Sequence, residues 1–179
     1  MRLAHTGMVF PIAAISALII AIGARAQSKM EIGTSAFAPG APIPEKYTCS
    51  GDDVSPPLTI SGVPSSARAL ALIVEDPDAP SGTFVHWVAY NMAPQTGSIP
   101  AGVKPGDPMP GGGTQGRNDF GRAGYGGPCP PPGAPHHYHF RLFALNDRIA
   151  PQSDSGSAVE QSMQGHVVAS AETVGIFSR

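Results

Sequence analysis

Short apolar runs that end at glycine or proline dominate the chain beyond residue 26. The strongest runs lie at residues 69–74, 84–92 and 138–145, and weaker ones lie near residues 30–37 and 58–60. Runs of this kind, bounded by turn-forming residues, predict short strands. Because no regular series of helical segments separates them, the pattern favours a β sandwich or barrel over alternating βα units.

One helix is predicted near the C-terminus. Ser157 and Glu160 have the spacing of a capping box, in which each side chain satisfies a free backbone N–H of the other residue. Four positions then recur at helical spacing on one face: Val159, Met163, His166 and Val167. We interpret His166 as a hydrogen-bonded core histidine rather than a ligand, and we expect a final strand over residues 171–177.

The first 26 residues have the pattern of a secretory signal peptide. Arg2 is followed by a largely apolar run over residues 8–22, and Ala-Arg-Ala at residues 24–26 is an A-x-A cleavage pattern. The run is shorter than the ~20 apolar residues of a membrane-spanning helix. We therefore predict a cleaved signal peptide over residues 1–26 and one periplasmic or secreted domain over residues 27–179. The mature chain is expected to have no transmembrane span.

The charge balance argues against nucleic acid and anionic membranes as main partners. The chain has 11 Lys and Arg against 13 Asp and Glu and no basic run. Removal of Arg2 and Arg25 with the signal peptide would make the mature protein more acidic still. Both classes of partner require a basic surface, which this composition does not supply.

Cys49 and Cys129 are the two cysteines of the chain, and both lie in the predicted mature domain. In an oxidising compartment, an even number of cysteines favours a disulfide. Two buried thiols are the alternative, because the sequence does not give the Cα separation on which a bridge depends.

Two segments place acids, imidazoles and a phenol beside prolines, which stiffen the backbone without supplying N–H donors. The first is Asp-Pro-Asp-Ala-Pro at residues 76–80, followed by His86. The second covers residues 127–138 and ends in His-His-Tyr. Together these side chains include no obvious nucleophile. They suit the binding of a small polar ligand better than its cleavage.

Strand alternation selects among the clustered histidines. On the strand that begins near residue 136, successive side chains face opposite sides. His136 and Tyr138 share a face with the apolar residues that follow, so we predict that they point inward while His137 and His139 point outward. Residues 105–135 contain 10 Gly and 8 Pro. We interpret them as an ordered loop that forms one wall of the site, because long loops inside compact domains are usually functional.

The two segments with clustered acids and histidines, at residues 76–86 and 127–138, resemble motifs of the phosphatidylethanolamine-binding protein family, also called the Raf kinase inhibitor-like family. The resemblance is strongest to the bacterial secreted branch of this family. The likeness extends from about Ile32 to Phe177. Further motifs that carry it are Tyr-Thr-Cys at residues 47–49, Ser-Pro-Pro-Leu at 55–58, Gly-Arg-Asn-Asp-Phe-Gly at 116–121 and Gly-His-Val at 165–167.

The resemblance implies two antiparallel sheets in a Greek-key sandwich, with a C-terminal helix beside the ligand site. It also implies a non-enzymatic binding protein without a cofactor, whose small pocket takes phosphate, phosphoethanolamine-like groups or a phospholipid head group. Carried over residue by residue, the pocket consists of Asp76, Asp78, His86, His136 and Tyr138, with Pro80 and Pro130 shaping its walls. The family commonly has Arg in place of His137, which faces outward by the alternation above.

The chemistry of these side chains agrees with an anionic ligand. Imidazole N–H groups and a phenol donate hydrogen bonds to phosphate oxygens, and an imidazole gains positive charge near neutral pH. The carboxylates of Asp76 and Asp78 would orient the histidines or receive an ammonium group such as that of ethanolamine.

Two alternatives remain. A metal-dependent or other phosphoester hydrolase would use His86, His136 and an Asp, which match a catalytic zinc set in type. The i,i+4 spacing of metalloproteases and the G-x-S-x-G motif of hydrolases are both absent from the sequence. The other alternative is an inhibitor of a protein partner. Because a signal peptide puts cytoplasmic kinases out of reach, that partner would be an extracytoplasmic protease or another protein outside the cytoplasm.

Overall fold

The computed structural model describes residues 29–179, which form eight strands, one α-helix and one 3-10 turn. The predicted signal peptide lies outside the described residues. The strands are β1 (Glu31–Gly33), β2 (Leu58–Ser61), β3 (Ala69–Asp76), β4 (Phe84–Met92), β5 (Ser98–Ile99), β6 (Thr114–Gln115), β7 (His136–Leu145) and β8 (Val167–Phe177). The helix α1 is Gly156–Met163, and the 3-10 turn is Glu45–Tyr47.

The strands form two antiparallel sheets. The small sheet has the order β1-β2-β5, and the large sheet has the order β6-β4-β3-β7-β8. This arrangement confirms the prediction of a mainly β fold with two antiparallel sheets and one short helix near the C-terminus. The two-residue strands β5 and β6 were not predicted. Within residues 29–179, no helix combines the length and the hydrophobicity that a membrane span requires.

Apolar clusters cover both faces of the large sheet, whose central strand β3 is buried along nearly its whole length. Leu70 and Val74 belong to the cluster between the two sheets. Ala69 and Ile73 point to the opposite face, into the cluster beneath α1. Because both faces of β3 are covered, its sequence is a continuous apolar run rather than an alternation of apolar and polar residues.

A β-bulge in β4 sets the direction of His86. The consecutive β3 residues 74 and 75 pair with Trp87 and Val85, which leaves His86 as an extra residue in β4. A bulge places two residues of one strand opposite a single residue of its neighbour. As a result, Val85 packs with the cluster beneath α1, while His86 contacts Tyr138 on the inner face of the sheet.

The helix begins two residues earlier than the capping box predicts. Ser155 is the N-cap, and its Oγ accepts a hydrogen bond from the backbone N of Ala158 at 3.3 Å. Ser155 has an extended backbone, whereas Ser157 already lies inside the helix, so the predicted capping box of Ser157 and Glu160 is wrong. The side chain of Glu160 lies 3.5 Å from the guanidinium of Arg141 instead.

The predicted apolar face of the helix also extends too far. The helix ends at Met163, and His166 and Val167 lie beyond it, with Val167 opening β8. His166 is half-buried, and its Nδ1 lies 2.9 Å from Oδ1 of Asn146. It is therefore a hydrogen-bonded loop residue rather than a residue of the helical face.

Candidate ligand-binding site

A cavity of about 140 Å³ opens at one edge of the large sheet. Because neighbouring strands are antiparallel, the end of β3 lies beside the starts of β4 and β7 at this edge. The lining residues are Asp76, Ala79, Pro80, Phe84, His86, Phe120, Cys129, Pro130, Pro131 and His136. The two segments with clustered acids and histidines therefore meet here, and the Gly/Pro-rich loop forms the opposite wall.

The carboxylate of Asp76 is buried and fixed by two hydrogen bonds. Its Oδ1 accepts from the backbone N of Asp78 at 2.9 Å, and its Oδ2 lies 2.7 Å from Nδ1 of His136. The side chains of His136 and Asp76 are 13% and 4% exposed. Because an ionised carboxylate only accepts hydrogen bonds, Nδ1 of His136 carries the proton and Nε2 is the nitrogen left for a ligand.

His86 makes the corresponding bond to a backbone carbonyl. Its Nδ1 donates to the oxygen of Gly126 at 2.7 Å, because a carbonyl oxygen is only an acceptor. Burial lowers the pKa of His86, and the Gly126 carbonyl and the Asp76 carboxylate offset only part of this effect. The ring is therefore held towards its neutral form, in which Nε2 has a free lone pair.

Tyr138 lies directly behind the lining residues. It is fully buried, and its ring packs edge-to-face on that of His86 at 5.2 Å between centroids. Among the buried side-chain polar atoms of residues 29–179, its hydroxyl alone has no hydrogen-bond partner. Burial, and then the nearby carboxylate of Asp76, raise the pKa of Tyr138 well above its usual range. The group is a neutral phenol with a proton to donate.

Asp78 does not line the cavity. Its Oδ2 accepts from Nδ1 of His137 at 2.7 Å and from the backbone N of His137 at 2.9 Å, and both side chains are exposed. These bonds hold the pKa of Asp78 below its usual value. The alternation that turns His137 outward leaves it beside Asp78, so the structure separates Asp78 from the other predicted pocket residues.

The predicted wall residues Pro80 and Pro130 both line the cavity. Pro130 is held from outside by Arg179, whose Nε donates to its carbonyl oxygen at 2.7 Å. Two aromatic residues that were not assigned to the pocket also line it. Phe84 and Phe120 pack on each other at 4.8 Å between ring centroids, and Phe120 is 45% exposed. An aromatic residue in a Gly/Pro-rich loop was the available signal for Phe120.

The Gly/Pro-rich loop is anchored to the segment around the 3-10 turn. Cys49 and Cys129 form a disulfide, as the sequence predicts, with a Cα–Cα distance of 5.4 Å. The hydroxyl of Tyr125 donates to the carbonyl of Tyr47 at 2.7 Å, and the backbone N of Gly127 donates to a carboxylate oxygen of Asp53 at 2.6 Å. These bonds and the disulfide position the wall that faces the histidines.

Other features of the surface favour this cavity as the candidate site. A wider depression of about 560 Å³ lies beside β1 and β8. Two of its charged side chains already have partners within the protein. Nη1 of Arg141 donates to Oε1 of Glu75 at 2.7 Å, and Oε1 of Glu172 lies 2.9 Å from Nδ1 of His139. Across residues 29–179, no group of three His, Cys, Asp or Glu side chains is arranged to hold a metal ion.

Comparison with known sequences identifies the family. The family model described as phosphatidylethanolamine-binding protein matches residues 33–178. The chain belongs to this family. A UPF0098 protein of Pyrococcus horikoshii is 44% identical over 176 residues, which cover 94% of this chain and 88% of that protein. A UPF0098 protein of Methanothermobacter thermautotrophicus is 42% identical over 153 residues, covering 84% of this chain and 99% of that protein.

Solved structures of phosphatidylethanolamine-binding protein homologues share the fold. Escherichia coli YbcL, described as a new member of the mammalian family, matches with a TM-score of 0.79 and 33% identity, over 85% of this chain and 99% of that chain. A putative homologue from Chlamydia trachomatis matches with a TM-score of 0.75 and 36% identity, over 84% of this chain and 98% of that chain.

Proposed function

We propose that the protein is a non-enzymatic, extracytoplasmic binding protein that holds a small phosphate-bearing group in the cavity at the end of β3. The groups proposed are inorganic phosphate and phosphoethanolamine-like head groups. One observation carries the proposal. Two imidazoles line a single small cavity, and a buried phenol without a hydrogen-bond partner packs against one of them.

The size of the cavity supports a head group rather than a whole lipid. Its 140 Å³ is room for about five water molecules at ~30 Å³ each. Pockets for drug-sized ligands are larger, from about 300 Å³ upwards. A phosphate group with a short substituent is a ligand of suitable size.

The polar groups are suited to binding an anion. The phenol of Tyr138 and a protonated imidazole donate to phosphate oxygens. Asp76 orients His136, and it also offers an acceptor for the ammonium of an ethanolamine group. The lining residues include no Ser, Thr or Lys, and Cys129 is bonded in the disulfide, so the wall of the cavity offers no hydroxyl, amine or free thiol as a nucleophile.

The disulfide supports a location outside the cytoplasm, because disulfides persist in oxidising compartments. The predicted signal peptide is consistent with the same location.

Two neighbouring histidines provide a matched test. His136 and His137 each form a 2.7 Å bond from Nδ1 to an aspartate, but only His136 lines the cavity. Calorimetric titration with phosphate and phosphoethanolamine should show affinities about 10- to 100-fold lower for His136→Ala, the loss expected for a hydrogen bond to a charged group. His137→Ala should bind as the wild type does. If His86→Ala and His136→Ala both leave every affinity unchanged, the pocket assignment is wrong.

A further inference from the structure

Both histidines of the cavity use Nδ1 for bonds within the protein. Nδ1 of His86 donates to the Gly126 carbonyl, and Nδ1 of His136 is paired with the Asp76 carboxylate. Each ring therefore offers only Nε2 to a ligand. On a neutral imidazole, Nε2 is a hydrogen-bond acceptor, and it donates only after the ring has gained a proton. Burial lowers the pKa of His86 and so opposes that protonation there.

The two rings have different surroundings. His136 has a buried carboxylate at 2.7 Å. The rings packed on His86 are those of Phe84 from its own strand, Phe120 from the Gly/Pro-rich loop and Tyr138 from β7. The charged groups that act on it are the carboxylates of Asp76 and Asp119, and their effect is smaller than that of burial.

The carboxylate of Asp76 also limits the charge that a ligand can bring. It is nearly inaccessible to solvent and lies in the cavity wall. An anion in the same cavity is repelled by it. A ligand with two negative charges is repelled more strongly than one with a single charge.

We propose that His86 makes the site selective for phosphate groups that carry a proton. The P–OH of a phosphate monoester, or of inorganic phosphate, donates to Nε2 of His86, so a dianionic monoester takes up one proton from solvent as it binds. The O–H bond made with the solvent proton is the bond that forms, no P–O bond breaks, and the bound species is the monoanion. A phosphate diester has no such proton and binds more weakly. This inference rests on the proposed function and names the class of ligand.

Methyl phosphate and dimethyl phosphate are suitable probes, because they differ in the protonatable oxygen and contain no ammonium group. The second pKa of a phosphate monoester is about 6, so above that pH the affinity for methyl phosphate should fall about tenfold per pH unit. Calorimetry in buffers of different ionisation enthalpy should show uptake of about one proton near pH 8. At about pH 6, dimethyl phosphate should bind at least tenfold more weakly than methyl phosphate, the difference expected from one hydrogen bond to a charged group.

Variants locate the proton. The amide of His86→Gln donates directly to an unprotonated oxygen, so the pH dependence should flatten and the two probes should bind within about threefold of each other. His137→Gln, which changes the exposed histidine, should keep the wild-type pH dependence.

Three results would contradict the inference in different ways. Equal affinities for the two probes and no proton uptake would overturn the selectivity while leaving the proposed function standing. Loss of the pH dependence in His136→Gln but not in His86→Gln would assign the proton to His136. Failure of the wild type to bind either probe or inorganic phosphate at any pH would overturn the proposed function itself.

Discussion

The hydroxyl of Tyr138 is predicted to lower the stability of the fold and to contribute to binding. A buried polar group without a partner costs about 1–3 kcal/mol. This hydroxyl has no partner at hydrogen-bond distance, although the Asp76 carboxylate is near enough to raise its pKa. In Tyr138→Phe that cost disappears. The small cavity left by the oxygen atom lowers the free energy of unfolding by up to about 1 kcal/mol, which offsets part of the gain. We expect the free energy of unfolding to rise by about 1 kcal/mol, and the melting temperature by about 2–4 °C.

Ligand binding should change in the opposite direction. If the phenol donates to a bound phosphate, its loss removes a hydrogen bond to a charged group, and the affinity should fall about 10- to 100-fold. Urea unfolding with and without phosphate, together with phosphate titration, measures both effects on the same sample.

Tyr125→Phe is the matched control. Tyr125 is also buried, but its hydroxyl donates to the carbonyl of Tyr47 at 2.7 Å. Its removal leaves that carbonyl without its partner and should lower the free energy of unfolding by about 1 kcal/mol or more. If Tyr138→Phe is destabilised as much as Tyr125→Phe, the Tyr138 hydroxyl is bonded within the protein. If its phosphate affinity is unchanged, the hydroxyl does not contact the ligand.

Three further predictions concern stability. The Cys49–Cys129 disulfide joins positions 80 residues apart and so restricts the unfolded chain. Replacing both cysteines by Ala should lower the free energy of unfolding, measured in urea titrations, by about 4 kcal/mol. A loss below about 1 kcal/mol would contradict this argument from chain entropy. Gly127→Ala should lower the free energy of unfolding by about 1–3 kcal/mol, because the added Cβ would lie 2.6 Å from a backbone carbonyl oxygen. Gly97→Ala is the control: no heavy atom lies within 4 Å of its new Cβ, so the free energy of unfolding should change by less than about 0.5 kcal/mol. Because burial lowers the pKa of His86, the unfolded chain binds a proton at this residue more readily than the folded chain does. The free energy of unfolding should therefore fall as the pH drops below the ordinary histidine pKa of 6.5, and this part of the fall should be absent from His86→Gln. An unchanged pH profile in the variant would show that His86 is not the group responsible.

The main strands could be predicted because burial leaves a strong local pattern. The run at residues 84–92 has the same bounds as β4, and the run at residues 69–74 lies inside β3. Two-residue strands such as β5 and β6 carry no pattern of their own, since their pairing is decided by neighbours distant in the sequence. The N-cap of α1 was misplaced for a related reason. Ser155 and Ser157 are chemically equivalent, and the backbone conformation at Ser155 decides between them.

The position of His86 could not be derived from alternation alone. In a regular strand, His86 and Trp87 would face opposite sides of the sheet. The bulge that turns His86 inward depends on the register between β3 and β4, which no local sequence pattern reveals. The resemblance to the family supplied His86 as a pocket residue. The register explains how a residue beside a buried tryptophan comes to line the cavity.

The two neighbouring Asp–His pairs show what distinguishes the candidate site from an ordinary surface contact. The Asp76–His136 and Asp78–His137 pairs have the same 2.7 Å separation, but the side chains are 13% and 4% exposed for His136 and Asp76, against 56% and 43% for His137 and Asp78. An exposed pair is screened by water and contributes little, whereas a partner removed from a buried pair leaves an uncompensated charge. The side-chain bond has the same length in both pairs, and strand alternation turns His136 towards the cavity and His137 towards solvent. Removing His136 should therefore lower the affinity for phosphate, whereas removing His137 should leave it unchanged.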